Sequence, residues 1–447
     1  MSWPPRPEAN REGDAVMKRL VVVGNGMAAC RLLEELTRLA PDLYQITVVG
    51  DEPFAGYNRV MLSPLLGGST DENTITTHPH QWYRERSIRL ITGTPVVAIH
   101  RGRRQVETAA GHVLDYDRLL LATGAGPRQL PVDGVGLKGV VSFRDLYDVR
   151  RLLSLSAARV VVVGGGFLGL EAADALVKQG HDVTLVHSRG HLLNQQLDEA
   201  AGHRLQKDLE ARGIKFVMHA RTQSIEGCSV QKKEDKKGSS SYSSDRVAAV
   251  HLADGQRLPA DYVVQAVGIV PRAELAAQAG LTVNQGVRVD DTLQTFDPAI
   301  YAIGECVEHR ERTFGLVAPL YEQASVCASH LAEMGHRRYL YADSATRLKI
   351  SGIDLVSCGD FLGEKRNEIE QGETLQLSLP DSYRRLQIRD NRVVGMVLYG
   401  DVSDAPFFET LWRDSTDISA LRETLLLGEA FCKRPGDKGD NAEGVAA

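Results

Sequence analysis

The apolar run LVVV at residues 20–23 ends at a glycine turn. Ala29, Leu32, Leu33, Leu36, Leu39 and Ala40 then recur at helical spacing. A second apolar run follows at residues 46–49. Strand, turn, helix and strand predict a βαβ unit, whose crossover is nearly always right-handed. The same order returns later. Residues 160–163 read VVVV, and Ala172, Ala173, Leu176 and Val177 keep a helical period across residues 168–178. Gly180 stops that helix, and residues 183–186 make the next strand. Two such units point to nucleotide binding more strongly than either alone.

Three further apolar segments end in small residues. They are LLLATG at residues 119–124, VQAVG at 264–268 and IYAIGEC at 300–306. Beyond about residue 345 the pattern changes. Residues 348–358, 383–388 and 393–399 read as strands, and 407–413 and 418–427 as helices. This predicts a small α+β domain. The polar stretch QKKEDKKGSSSYSSD at residues 231–245, between strands near 222–230 and 247–252, reads as a solvated hairpin tip. Residues 1–16 and those from 433 onward read as polar tails.

Composition narrows the function. The chain has 447 residues, 43% of them hydrophobic, enough for two or three packed domains. Its formal net charge is −6 with no basic stripe, which argues against nucleic acid. No apolar run reaches the roughly 20 residues that span a bilayer, and the start carries no export signal, so the cytoplasm is expected. The cysteines (Cys30, Cys228, Cys306, Cys327, Cys358 and Cys432) form no C-x-x-C pair. No iron–sulfur set, zinc set or redox dithiol is therefore expected.

The glycine turns carry the chemistry. In Gly24-Asn25-Gly26-Met27-Ala28-Ala29, Gly24 permits a tight turn, Gly26 lets a pyrophosphate approach, and Ala29 lets the helix pack on the strand. The helix start offers unpaired N–H groups to phosphate. Asp51 and Glu52, after the second strand, can accept hydrogen bonds from ribose hydroxyls. The second motif, with Gly164, Gly166 and Gly169, is complete, but His187-Ser188-Arg189 stands where an acid would be. His187 and Arg189 either attract the 2′-phosphate of NADPH or simply face solvent, so NADH and NADPH both stay open.

These residues resemble the pyridine-nucleotide–disulfide oxidoreductase superfamily, in its ferredoxin- and rubredoxin-reductase-like branch, across residues 17–335. The resemblance implies two Rossmann-like three-layer domains of the glutathione-reductase type, within an α/β fold, plus the small C-terminal domain. It implies an FAD domain at residues 17–148 and 273–340, an NAD(P)H domain at 149–272, and an α+β interface domain at 345–430. The flanking stretches 1–16 and 431–447 would be tails. The cofactors implied are FAD and either NADH or NADPH. Gly24, Gly26 and Ala29 would hold the FAD pyrophosphate, Asp51 with Glu52 the ribose, and Val96 the adenine. Arg59, Thr123, Gly124, Arg128 and Gly268 would add nucleotide contacts. Gly304 and Glu305 would hold the ribityl and phosphate region, and Tyr321, opening a helix, would sit by the isoalloxazine. Gly164, Gly166 and Gly169 would hold NAD(P)H, with Glu171 as the catalytic candidate that orients the carboxamide. The alternative role for Glu171 is that of a helix N-terminal acid.

A narrower resemblance is to the flavoprotein part of assimilatory nitrite reductase large subunits and the electron-transfer subunits of assimilatory nitrate reductase. It rests on YNRVMLS (57–63), the 186–201 run, YAIGEC, FGLVAPLYEQA (314–324) and LYGDVSD (398–404). The implied partner holds iron–sulfur, molybdenum or sirohaem centres. A ferredoxin or rubredoxin, a slow redox-sensing role and a homodimer remain open. Many relatives carry a Lys after the LS of the first segment; here Pro64 follows Ser63, so a Lys–Glu pair with Glu171 is missing. The segment also lacks a flavin-side cysteine, which argues against a peroxidase or disulfide reductase.

Overall fold

The computed structural model describes residues 17–230, 243–341, 345–350, 352–363 and 372–432. The expected tails at 1–16 and from 433, and most of the hairpin tip at 231–245, lie outside the described residues. By spatial contiguity the chain forms two units. One comprises residues up to 61, 71–126 and 269–341, and the other 62–70, 127–268 and the remainder from 342.

The first unit is built on a five-stranded parallel sheet. Its order is Ile300–Ala302, Arg118–Leu121, Lys18–Val23, Tyr44–Val49 and Arg89–Ile91. Val21, Val22, Leu119 and Leu120 are buried, as strands covered on both faces require. The helix Met27–Leu39 buries Ala28, Ala29, Leu32, Leu33 and Leu36 and packs beside the helix Val317–Leu331.

The second unit repeats the design in the order Val140–Ser142, Tyr262–Gln265, Arg159–Val163, Asp182–Val186 and Lys215–Val217, again all parallel. Its first crossover helix is Phe167–Lys178. The short helix Leu62–Leu66 packs on it, and Gln179 Nε2 donates to Leu66 O at 3.1 Å. That contact explains why residues 62–70, inside the range 17–148 expected for the first nucleotide domain, group with the second unit.

The C-terminal part is a five-stranded antiparallel sheet in the order Thr346–Ile350, Ile353–Gly359, Arg392–Tyr399, Tyr383–Arg389 and Gly372–Ser378. The helix Ala405–Arg413 covers one face through Phe407, Phe408 and Leu411. Two expectations change here. Residues 348–358 are not one strand but the two arms of a hairpin turning near Gly352, whose φ is +88°. Residues 418–427 form no α-helix; only a 3₁₀ turn occurs, at Leu425–Leu427. Ile418, Leu421 and Leu425 are buried at helical spacing, but the Ile418 N–H donates to Asn391 O and ties the chain to the sheet instead. The strand Gly372–Ser378 has no clear apolar signal in the sequence, because as an edge strand it carries mostly exposed side chains.

Within this unit the sheet is bonded to the helix Glu199–Glu210. Tyr383 Oη donates to the buried Asp198 at 2.7 Å, Tyr399 Oη donates to Asp208, and Arg204 donates to Ser378 Oγ at 2.6 Å and Leu379 O at 2.9 Å. Tyr383→Phe removes a hydrogen bond from a buried carboxylate. It should cost about 1–3 kcal/mol of stability, read from urea unfolding, with little change in the folded spectrum. A neutral result would remove this bond from the forces that hold the sheet in place.

Candidate nucleotide-binding sites

The two glycines of each turn do different jobs. Gly24 has φ +109°, and a Cβ there would fall 2.1 Å from Ala122 O. Its N–H donates to Val49 O at 2.8 Å. Gly24 is therefore demanded by the fold. Gly26 has an ordinary extended backbone, φ −82°, and beyond its chain neighbours nothing lies within 4 Å of a Cβ placed on it. It precedes the helix Met27–Leu39 without a side-chain cap, leaving N–H groups free for an anion. The Nδ2 of Asn25, in the same turn, is buried without a partner, while its Oδ1 accepts from Tyr83 Oη at 2.6 Å. This turn fits a dinucleotide pyrophosphate.

A cavity of about 330 Å³ adjoins it, lined by Gly24, Asp51, Val96, Thr123, Arg272 and Gln278 among others. Arg272 donates to Asp51 at 2.9 Å; its backbone N–H donates to Gly124 O at 2.9 Å and its carbonyl accepts from Thr123 Oγ1 at 2.6 Å. Arg272 was not among the expected site residues, although Pro271-Arg272 mirrors Pro127-Arg128 in sequence. Glu52 accepts from Tyr57 Oη at 2.7 Å and from Arg59, so these two expected ribose and nucleotide contacts pair with each other. Gly304 has φ +91°; its N–H donates to Gln323 Oε1 at 2.7 Å, and its Cβ position lies 3.3 Å from Ala28 Cβ. Glu305 Oε2 lies 3.9 Å from the Cβ position of Gly124. Tyr321 is part-exposed, with the Arg31 guanidinium 5.8 Å from its ring centroid. The helix opens at Val317, one turn before Tyr321 and not at it.

The second turn has the same construction. Gly164 has φ +120°, with its Cβ position 2.2 Å from Ala266 O, and Gly166 is extended and open. A Cβ on Gly169 would fall 1.9 Å from Gly164 O, so only glycine lets this helix pack on its own turn. Arg128 joins this unit, donating its backbone N–H to Gly268 O at 2.9 Å.

His187 neither faces solvent nor offers a ring nitrogen to phosphate. It is buried; Nδ1 accepts from the Gly165 N–H at 3.2 Å, and Nε2 donates to His191 O at 3.1 Å. Burial pushes its imidazole below the usual histidine range, so the ring is neutral. Arg189 remains exposed. Glu171 lies in the second turn of the helix Phe167–Lys178 and accepts a hydrogen bond from Ser63 Oγ. Burial pushes its carboxyl up against the opposing pull of that bond. Ser63, the last residue of YNRVMLS, was not singled out by the sequence.

Two parallel sheets, each with an open glycine turn before a helix, define an α/β protein of the two-dinucleotide type. Comparison with known proteins agrees. The pyridine nucleotide-disulphide oxidoreductase family matches residues 18–330, and the rubredoxin NAD+ reductase C-terminal domain matches 345–416. The chain is 40% identical over 414 residues to a nitrite reductase [NAD(P)H] of Bacillus subtilis (strain 168), covering 92% of this chain and 49% of that protein. It is 36% identical over 415 residues to the assimilatory nitrate reductase electron transfer subunit of the same organism, covering 92% and 51%. It thus spans about half the length of these two curated relatives. The crystal structure of the covalent putidaredoxin reductase–putidaredoxin complex superposes with a TM-score of 0.77 at 27% identity, covering 92% of this chain and 96% of that one. The chain belongs to the pyridine nucleotide-disulphide oxidoreductase family, flavoenzymes that work with FAD and a nicotinamide nucleotide.

Gly26→Val should leave the fold intact and yield protein without bound FAD, since its side chain enters only open space. Gly24→Val should fail to fold. Absorbance at flavin wavelengths and circular dichroism separate the two; a fully yellow G26V would place the pyrophosphate elsewhere.

Glu171 supplies a pH signature. The folded protein holds this proton to higher pH than the unfolded chain. Stability should therefore fall as pH rises from the ordinary glutamate range through the raised value. Glu171→Gln should flatten that slope in denaturation midpoints taken from about pH 4 to about pH 8. An unchanged slope would assign it to another group.

Proposed function

We propose that this chain passes electrons from NAD(P)H through FAD to a redox partner, as the electron-transfer component of a nitrate- or nitrite-assimilating reductase. The observation that carries this reading is the pair of open glycine turns, one in each sheet, in a chain similar to nitrite and nitrate reductase components. FAD is assigned to residues 17–148 and 273–340, the nicotinamide nucleotide to 149–272, and docking or self-association to 345–430.

FAD, when bound, supplies hydride acceptance and can release electrons singly. The chain supplies placement. Gly26 and the start of the helix Met27–Leu39 hold the pyrophosphate, Asp51 with Arg272 the adenosine ribose, and Gly304 with Glu305 the ribityl region. Gly166 admits the second nucleotide. Glu171 orients the carboxamide; its burial and its bond from Ser63 favour this over a surface helix-end role.

The acceptor centre is proposed to lie outside the described residues. Among the described residues no His, Cys, Asp or Glu cluster could hold a metal ion. Nitrite reduction to ammonium also takes more electrons than one flavin stores. The partner would hold iron–sulfur, molybdenum or sirohaem centres. The match of residues 345–416 to a rubredoxin reductase C-terminal domain favours a rubredoxin or ferredoxin as the second reading. The cytoplasm is the proposed location: the cysteines are free and, among the described residues, no helix could cross a membrane.

The FAD-loaded chain should reduce ferricyanide with NAD(P)H at enzymatic rates, yet consume neither nitrite nor nitrate alone. Substantial nitrite or nitrate turnover without a partner would sink the partner model.

A further inference from the structure

The two units share one register, which allows their ribose-facing ends to be compared position by position. The Gly24 N–H donates to Val49 O at 2.8 Å, and the Gly164 N–H to Val186 O at 2.9 Å. Val23 pairs with Val49 in one sheet, and Val163 with Val186 in the other. Counting on from the paired valines sets Gly50 against His187, Asp51 against Ser188 and Glu52 against Arg189. Two carboxylates at one strand end are replaced by a hydroxyl and a guanidinium at the other.

The backbone fixes this replacement in place. The His187 N–H donates to Val217 O, and its carbonyl accepts from the Ala220 N–H, both at 2.9 Å. Its ring packs against Gly165, where a Cβ would meet it at 2.7 Å, so the imidazole stays inside. Ser188 and Arg189 are thereby turned outward, and both are exposed. Arg189 makes no ion pair among the described residues, and its carbonyl accepts from the His219 N–H at 3.2 Å. His203 Nε2 bonds Gly190 O at 3.4 Å, and the His219 ring lies beside Gly190. The loop therefore gathers one guanidinium and two imidazole rings.

We propose that this loop selects NADPH over NADH, with Ser188 and Arg189 taking the 2′-phosphate. The inference rests on the second turn being the nicotinamide-nucleotide site. A carboxylate here would accept both ribose hydroxyls and repel a phosphate. A hydroxyl beside an unpaired guanidinium does the reverse, because a charge-assisted bond to a phosphate dianion exceeds one to a neutral hydroxyl. His187, expected as a phosphate contact, instead positions the two residues that follow it.

Calorimetric titration of the FAD-loaded protein with adenosine 2′,5′-bisphosphate and with 5′-AMP tests this without turnover. The bisphosphate should bind at least about tenfold tighter. Arg189→Ala should weaken it by roughly ten- to a hundredfold while sparing 5′-AMP. The double variant Ser188→Asp with Arg189→Ala should reverse the preference, and kcat/KM for NADPH against NADH should move in parallel. Equal affinity for the two probes, or an unchanged ratio in Arg189→Ala, overturns the inference; flavin reduction by NADH would then still uphold the proposed function. If neither dinucleotide reduces the bound flavin, the function itself falls and the inference with it.

Discussion

The structure depends on one close approach, made twice. A strand ends, and the chain must turn into a helix while lying against the carbonyl of the neighbouring strand. At Gly24 that carbonyl is Ala122 O, and at Gly164 it is Ala266 O. Any Cβ would overlap the oxygen, and the positive φ would be strained besides. Each sheet therefore closes over its own turn only because a hydrogen atom stands where a methyl group would. The next-but-one glycine is freed from packing and left for a ligand. The division between a glycine the fold demands and a glycine left in open space follows from the sheet, not from a cofactor.

The same constraint explains what was legible in the sequence. Parallel strands covered on both faces must be apolar throughout, so LVVV and VVVV announce themselves. The turns between them are equally visible, because their glycines are dictated by sterics that every such unit shares. The small C-terminal sheet was harder. Its edge strand Gly372–Ser378 buries too little to alternate clearly, and the spacing of Ile418, Leu421 and Leu425 matches a helix although one backbone bond to Asn391 decides otherwise.

Candidate site residues are legible where one segment carries the whole signal. They are hidden where two distant segments meet. Arg272 reaches Asp51 from far along the chain, and Ser63 reaches Glu171 across most of a domain. His187 shows a third limit. Its type and position suggested a cation beside a ribose, but the Gly165 N–H needs an acceptor, and the nearby imidazole nitrogen provides it. A local hydrogen-bonding debt set the orientation of the ring, and hence its protonation.

The tyrosines of the C-terminal sheet touch the helix Glu199–Glu210 near both ends, at Asp198 and Asp208. One such bond would act as a pivot, about which the sheet could swing. Two, separated by the length of the helix, remove that rotation. The sheet and the helix must then travel as one rigid piece, and a load applied to the sheet is delivered to the segment just before Asp198. That segment continues from the loop carrying Ser188 and Arg189, so the C-terminal sheet is tied through one helix to the strand end proposed to take the ribose.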